Sequence, residues 1–187
     1  MSLRIIAGRH RGRRITAPEG LATRPTSERA REALFGILEW GIPPLRGSRF
    51  LDLFSGSGAA ALEAISRGAV EALCIDQATA AVAAIRANVE ALGEAERVSV
   101  LRADACRLGP APAPFDIAFL DPPYGSGLLA PALASLAEAG WLVPGAQIVA
   151  EVAARDRLDA PTGFRLEDER AYGVARLLFL RREPGSG

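Results

Sequence analysis

The sequence contains no lysine, and it has one histidine and two cysteines among its 187 residues. Cys74 lies within an apolar run, a position typical of a small buried hydrophobic residue rather than of one half of a disulfide. His10 has no cysteine or histidine neighbours at the spacing of zinc or haem ligands. We therefore expect no disulfide framework and no metal or haem centre.

Long apolar runs are also missing. The longest uncharged stretch, residues 122–137, contains three prolines and two glycines, a composition that argues against a membrane-spanning helix there. Residues 1–6 lack the apolar segment of a secretory signal. Hydrophobic residues still make up 49% of the chain, enough to form a packed core. These features predict a reduced, cytoplasmic, monomeric protein of ordinary domain size that does not associate with membranes.

The basic residues are unevenly distributed, although the net charge is zero. Residues 1–31 hold eight arginines and two glutamates, a net charge of +6, so the other 156 residues carry −6. A basic arm on an acidic body indicates a polyanionic partner, and RNA phosphates satisfy this requirement. The residues predicted to bind RNA are Arg4, Arg9, Arg11, Arg13, Arg14, Arg24, Thr26 and Arg29.

Apolar periodicity predicts a hairpin, a helix and then an alternating body. Residues 3–7 and 12–16 form the predicted hairpin, and a helix begins near Thr26. Alternating strands and helices imply right-handed crossovers and a mostly parallel sheet. Residues 164–171 and 174–180 have no room for a helix between them, so these strands should be antiparallel. The other predicted body elements are strands 49–54, 72–76, 98–101, 116–120 and 146–152 and helices 59–67, 82–92 and 127–139.

The predicted fold is therefore α/β, with seven strands in a mostly parallel sheet that ends in an antiparallel hairpin. This Rossmann-like arrangement is that of class I methyltransferases, an analogy that requires support from the site. The predicted organisation is a basic arm and helix in residues 1–41, a cofactor-binding domain in residues 42–183, and a tail in residues 184–187.

A glycine-rich turn follows the first body strand, and glycines let a ligand approach the backbone closely. This pattern also fits a nicotinamide dinucleotide loop. Asp52, within the strand, favours S-adenosylmethionine, because a carboxylate suits a cationic amino group and repels a pyrophosphate. Asp76 ends the next strand, where it could accept ribose hydroxyls, and Asp104 follows the third, where it could contact adenine. The predicted cofactor-binding residues are Asp52, Phe54, Ser55, Gly56, Ser57, Gly58, Asp76, Gln77, Asp104 and Ala105.

Asp121, Pro122, Pro123 and Tyr124 directly follow another apolar strand, at the sheet edge where parallel folds bind ligands. Two acceptors, the Asp121 carboxylate and the Pro122 carbonyl, could take both N–H bonds of an exocyclic base amine and direct its lone pair at a methyl donor. Consecutive prolines stiffen the loop, and Tyr124 could stack on a base. The alternative is an ordinary proline turn that ends a strand. We predict that these four residues are catalytic.

Residues 3–180 resemble the bacterial 16S ribosomal RNA guanine-N2 methyltransferases, the RsmD-like family. The resemblance implies methylation of a guanine N2 in 16S rRNA of an assembled or partly assembled small ribosomal subunit, with S-adenosylmethionine as cofactor. The family tolerates phenylalanine at Phe54, where class I methyltransferases in general have glycine. The matching segments are Arg4–Gly8 with Arg11–Arg13, Arg24–Thr26 with Arg29, Arg31 and Glu32, Leu51–Gly58, Asp121–Tyr124, Glu151, and Tyr172–Gly173.

Three other functions fit parts of the sequence. DNA adenine or cytosine amino-methyltransferases usually carry a sizeable target-recognition domain, for which this chain has no room. Protein-glutamine methyltransferases commonly have asparagine where Asp121 stands. A non-catalytic nucleotide-binding protein or RNA chaperone would use the arm but would leave the motif at Asp121–Tyr124 unexplained.

The sequence allows more than one role for a few further residues. Glu151, on the predicted fifth strand, either orients a site residue or is a solvated acid. Trp40 and Trp141 lie at the ends of elements and are expected to pack rather than to stack on bases. The residues that could close over either the cofactor or the target are Arg24, Thr26 and Arg29.

Overall fold

The computed structural model describes residues 3–18, 28–156 and 159–184. Two short strands form a hairpin, and a helix precedes an alternating body. The elements are β1 Leu3–Arg4, β2 Arg14–Ile15, α1 Glu28–Glu39, β3 Arg49–Leu53, α2 Ala59–Arg67, β4 Glu71–Asp76, α3 Thr79–Leu92, β5 Val98–Arg102, β6 Phe115–Leu120, α4 Leu129–Glu138, β7 Leu142–Ala153, β8 Phe164–Tyr172 and β9 Ala175–Arg182.

The main sheet has seven strands in the order β5-β4-β3-β6-β7-β9-β8. Strands β3 to β7 pair in parallel, whereas β9 pairs antiparallel with both β7 and β8. The order reverses between β3 and β6, so the carboxyl ends of these two strands flank a crevice, the usual ligand site of such sheets. The predicted class I methyltransferase architecture is confirmed.

Helices cover both faces of the sheet because successive strand residues point to opposite sides. Phe50 of β3 faces α1, α2 and α3, and the next residue, Leu51, faces α4. Trp141 is buried with Leu51, and its indole N–H donates to the Gly109 carbonyl at 2.8 Å. The expectation that Trp141 packs is confirmed. The same expectation for Trp40 is wrong, because this residue lies beyond the end of α1 and is 88% exposed.

The part of the arm that the structure describes before α1, residues 3–18, packs against α2 and α3 rather than projecting from the body. Its own residues Ile5 and Ile15 are buried in the core with residues of α2 and α3. Glu63 of α2 is fully buried and accepts hydrogen bonds from the Ile6 and Ala7 amides at 2.8 and 3.0 Å. Two glutamates thus hold the hairpin, since buried Glu94 contacts both Arg9 and His10.

No helix within residues 3–18, 28–156 and 159–184 is both long and apolar enough to cross a membrane. In the same described residues, histidine, cysteine, aspartate and glutamate side chains form no group of three that could hold a metal ion.

Replacing Glu63 with alanine should lower the free energy of unfolding by roughly 3–5 kcal/mol, because it removes one partner of a buried ion pair. The variant removes the acceptor of two arm amides and of the Arg67 Nε, which lies 2.7 Å from Glu63; Arg67 keeps only its half-exposed partner Glu39, 3.0 Å from Nη1. Urea unfolding of both proteins measures the difference. Glu71→Ala is the control, since the Glu71–Arg49 pair is substantially exposed and should contribute less than about 1 kcal/mol. Equal losses in the two variants would contradict the buried-tether interpretation.

Candidate functional site

A cavity of about 500 Å³ opens at the carboxyl ends of β3, β4 and β6. Its walls come from the turn after β3, the end of β4, the loop after β6, and the first strand and helix of the chain. The lining residues are Leu3, Arg31, Leu34, Asp52, Phe54, Ser55, Gly56, Ser57, Ala59, Ala60, Asp76, Gln77, Ala78, Phe119, Asp121, Pro122, Pro123, Tyr124 and Leu128.

The turn after β3 depends on left-handed backbone conformations. Gly56 and Gly58 have φ of 56° and 75°, which glycine adopts without steric cost. Phe54 has φ of 57° although it carries a Cβ, a conformation that costs roughly 1–3 kcal/mol at such sites. Ser55 anchors the turn, because its hydroxyl donates to the Asp52 carbonyl at 2.6 Å and its backbone amide donates to the Ile75 carbonyl at 3.2 Å. The left-handed conformation at Phe54 is consistent with the resemblance noted above, in which class I methyltransferases in general have glycine at this position.

Asp76 connects the turn to β4. Its two carboxylate oxygens accept hydrogen bonds from the backbone amides of Gly56 and Ala78, each at 2.9 Å. Each oxygen keeps a second lone pair, so the carboxylate can still accept hydroxyl donors from the cavity. Asp76 therefore ties the glycine turn to the end of β4.

Asp52 is 2% exposed and faces the cavity from β3. Its Oδ2 accepts a hydrogen bond from the Ala61 amide of α2 at 3.2 Å. Burial raises the pKa of Asp52 to about 7; the Ala61 amide opposes this shift, and the negative charge of Asp76 adds to it. A cation entering the cavity would meet a carboxyl that ionises near neutral pH.

The Asp121–Tyr124 loop begins where β6 ends, and the Asp121 amide donates to the Leu53 carbonyl of β3 at 3.4 Å. Pro122 is buried, whereas Asp121 is partly exposed to the cavity. The Tyr124 hydroxyl donates to Glu151 Oε1 at 2.7 Å. Of the two roles considered for Glu151, the structure supports orientation, because this side chain is 4% exposed and holds the tyrosine.

A second cavity, of about 330 Å³, lies against the same loop. It shares Pro122, Pro123 and Tyr124 with the first cavity and adds Glu151 and Asp156. The Asp121–Tyr124 loop therefore separates two cavities, and the glycine turn lines the larger of these two.

Some residues of the predicted cofactor set do not line the first cavity. Asp104 is exposed, and its Oδ1 accepts a hydrogen bond from the Cys106 amide at 2.9 Å. Ala105 is buried beside it. A Cβ at Gly58 would lie 3.1 Å from Ile85 Cγ2, so this glycine permits close packing of the turn on α3. Contact of Asp104 with adenine stays a prediction.

The predicted RNA-binding residues divide into three groups. Arg9 pairs with Glu94 at 2.7 Å, and Arg13 is exposed with its Nη2 donating to the Ala91 carbonyl at 2.9 Å. Arg24 and Thr26 lie outside the described residues. The remaining members of the set are exposed, namely Arg4, Arg11, Arg14 and Arg29.

Arg31 and Leu34 of α1 line the cavity although neither was among the predicted site residues. A signal was present in the sequence: Arg31, Leu34, Phe35 and Leu38 follow helical spacing and share the buried face. An arginine on the apolar face of an amphipathic helix indicates a buried charge that needs a partner.

Comparison with known proteins gives relatives over most of the chain. Ribosomal RNA small subunit methyltransferase D of Escherichia coli K12 is 36% identical over 98% of this chain and 92% of that protein. The protein of the same name from Haemophilus influenzae is 32% identical over 92% of this chain and 90% of that protein.

Solved structures agree with these matches. The structure of Escherichia coli yhhF has a TM-score of 0.82 and 33% identity, covering 99% of this chain and 100% of that chain. A ribosomal protein L11 methylase from Lactobacillus delbrueckii, 18% identical, shares the fold alone, with a TM-score of 0.66 over 91% of this chain and 86% of that chain. The family model described as Conserved hypothetical protein 95 matches residues 3–181, and the chain belongs to this family, the RsmD family.

Proposed function

We propose that this protein transfers a methyl group from S-adenosylmethionine to guanine N2 in 16S rRNA of the small ribosomal subunit. The observation that carries the proposal is that the Asp121–Tyr124 loop and the glycine turn line the same cavity, which would bring the base amine next to the cofactor. Relatives named ribosomal RNA small subunit methyltransferase D support the rRNA substrate.

The residues of the larger cavity fit S-adenosylmethionine. A volume of about 500 Å³ is within the range of small-molecule and cofactor sites. In this proposal Asp76 accepts ribose hydroxyls, and Asp52 accepts the ammonium group of the amino-acid portion. The glycine turn presents backbone without side chains. When bound, the cofactor supplies a methyl group activated by a positively charged sulfur.

The chain's own residues then need to orient the amine rather than to activate it strongly. The Asp121 carboxylate and the Pro122 carbonyl each accept a hydrogen bond from one N–H group of the amine. This arrangement favours the pyramidal form of the amine and directs its lone pair into the larger cavity. In this proposal Asp121 also accepts the proton that the methylated amine releases. Tyr124 stacks on the base, and Glu151 fixes the tyrosine hydroxyl.

The direct test is to incubate the protein with methyl-labelled cofactor and small subunits prepared without this modification, and then to map the label. The proposal expects one labelled guanine, with the methyl group on N2. Free 16S rRNA assayed in parallel reports whether an assembled subunit is required. Label on a ribosomal protein or on another base, or no transfer to either substrate, would refute the proposal.

Binding of S-adenosylhomocysteine should strengthen as the pH rises through 7. The free protein holds a proton on Asp52 below its pKa of about 7, and only the ionised form attracts the ligand's ammonium group. Affinity should therefore increase about tenfold between pH 6 and pH 8, as measured by calorimetry. Methylthioadenosine, which lacks the amino-acid portion, is the control and should show no such change. A pH dependence that persists in Asp52→Asn would assign it to another group.

A further inference from the structure

Arg31 is a buried cation in the wall of the proposed cofactor cavity. It lies on α1, is 3% exposed, and lines the cavity together with Asp52 and Asp76. Arginine is rarely buried to this extent without a charged or hydrogen-bonding partner. Its position therefore requires an explanation beyond packing.

The hydrogen bonds of Arg31 to the described residues leave part of its guanidinium unused. Nη2 donates to the Arg4 carbonyl at 2.7 Å, which fixes one end of the group against the arm. Nε is buried and makes no hydrogen bond with the described residues. Burial lowers the pKa of Arg31, while the charge of Glu63 opposes this effect. Arg67, not Arg31, makes the direct ion pair with Glu63, at 2.7 Å.

We propose that Arg31 binds the carboxylate of the amino-acid portion of S-adenosylmethionine, while Asp52 accepts its ammonium group. This inference rests on the proposed function. An α-amino acid carries both charges at one end, and the cavity wall offers one buried group of each complementary sign. A planar guanidinium suits a carboxylate because it presents its donors in a fixed fork, and the Arg31 Nε makes no hydrogen bond with the described residues.

The test compares two ligands that differ only in this carboxylate. S-adenosylhomocysteine carries it, and the decarboxylated analogue keeps the ammonium group and the thioether. Calorimetry with the wild-type protein should show S-adenosylhomocysteine bound roughly 10- to 100-fold more tightly, the value of a charge-assisted hydrogen bond. In Arg31→Met the two ligands should bind equally, at the affinity of the analogue for the wild-type protein.

Two further variants make the result specific. Arg31→Gln removes the charge but keeps a donor for the Arg4 carbonyl, and it should also lose the carboxylate preference. This variant replaces Arg31→Met in the test if the methionine variant fails to fold. Arg67→Met is the matched control, since Arg67 is a buried arginine beside Glu63 that does not line the cavity. Its carboxylate preference should equal that of the wild-type protein.

The outcomes separate this inference from the proposed function. If the wild-type protein binds neither ligand, the assignment of the cofactor fails. If it binds both and the Arg31 variants keep the wild-type preference, or weaken both ligands equally, only the role of Arg31 is overturned. Loss of small-subunit binding with an intact carboxylate preference would overturn it too, and would assign Arg31 to a phosphate of the target RNA.

Discussion

Asp121→Ala is expected to reduce methyl transfer to small subunits by roughly 10²- to 10³-fold, while the affinity for S-adenosylhomocysteine changes far less, because Asp121 lines the cavity but is not proposed to bind the cofactor. The variant removes one of two acceptors proposed to orient the amine, so the lone pair is no longer held toward the methyl group. Asp121 is partly exposed at the end of β6, so its loss should not unfold the sheet. Single-turnover transfer of label, with cofactor and enzyme in excess over subunits, measures the orientation step directly.

Asp121→Asn refines this prediction. Its amide oxygen still accepts one hydrogen bond, but it lacks the negative charge that favours the developing positive charge on the amine. Its rate should therefore lie between those of the wild-type protein and Asp121→Ala. A non-catalytic RNA chaperone would retain its function in both variants. Transfer at the wild-type rate in Asp121→Ala would remove the proposed role of the carboxylate.

The order of elements was predictable because each body segment has the periodicity of its own structure. Helix α2 has the predicted bounds, since Gly68 ends it with φ of 113°. The bounds of β7 were predicted less well: this strand begins at Leu142 rather than at residue 146. Pro144 and Gly145 are typical of a break between elements, but here the extended chain continues through them. The pairing of β7 with β6 is irregular there, with a shift of register between Phe115 and Ile117. Periodicity within one strand carries no information about such a shift between two strands.

The site was predictable where its residues follow strands of a parallel sheet. Asp52, Asp76 and Asp121 belong to β3, β4 and the loop after β6, and these strands are neighbours, so the three carboxylates line one cavity. The docking of α1 was not predictable in the same way. Apolar periodicity does not register an arginine, whereas the buried face of α1 includes Arg31 beside Leu34 and Leu38.

Replacing Arg11, Arg13 and Arg14 with alanine together should weaken small-subunit binding roughly 10- to 100-fold at physiological salt, if each contacts one phosphate. All three side chains are exposed on the arm. Glu63 and Glu94 fix the arm to the body through residues 6, 7 and 9, so binding orders the arginine side chains but not the arm backbone. The affinity for S-adenosylhomocysteine should stay unchanged, because none of the three lines the cavity.

The salt dependence of binding distinguishes phosphate contacts from a loss of shape. Three lost contacts should make the slope of log affinity against log salt shallower by about 2 to 3, since each contributes 0.7–0.9. A control triple variant replaces three exposed arginines outside the arm, Arg107, Arg165 and Arg170, with alanine and should keep the wild-type slope. If both triple variants lose the same slope, the protein is attracted to RNA by its overall charge. If neither does, the subunit is recognised through another surface, and the arginines of the hairpin are solvated charges.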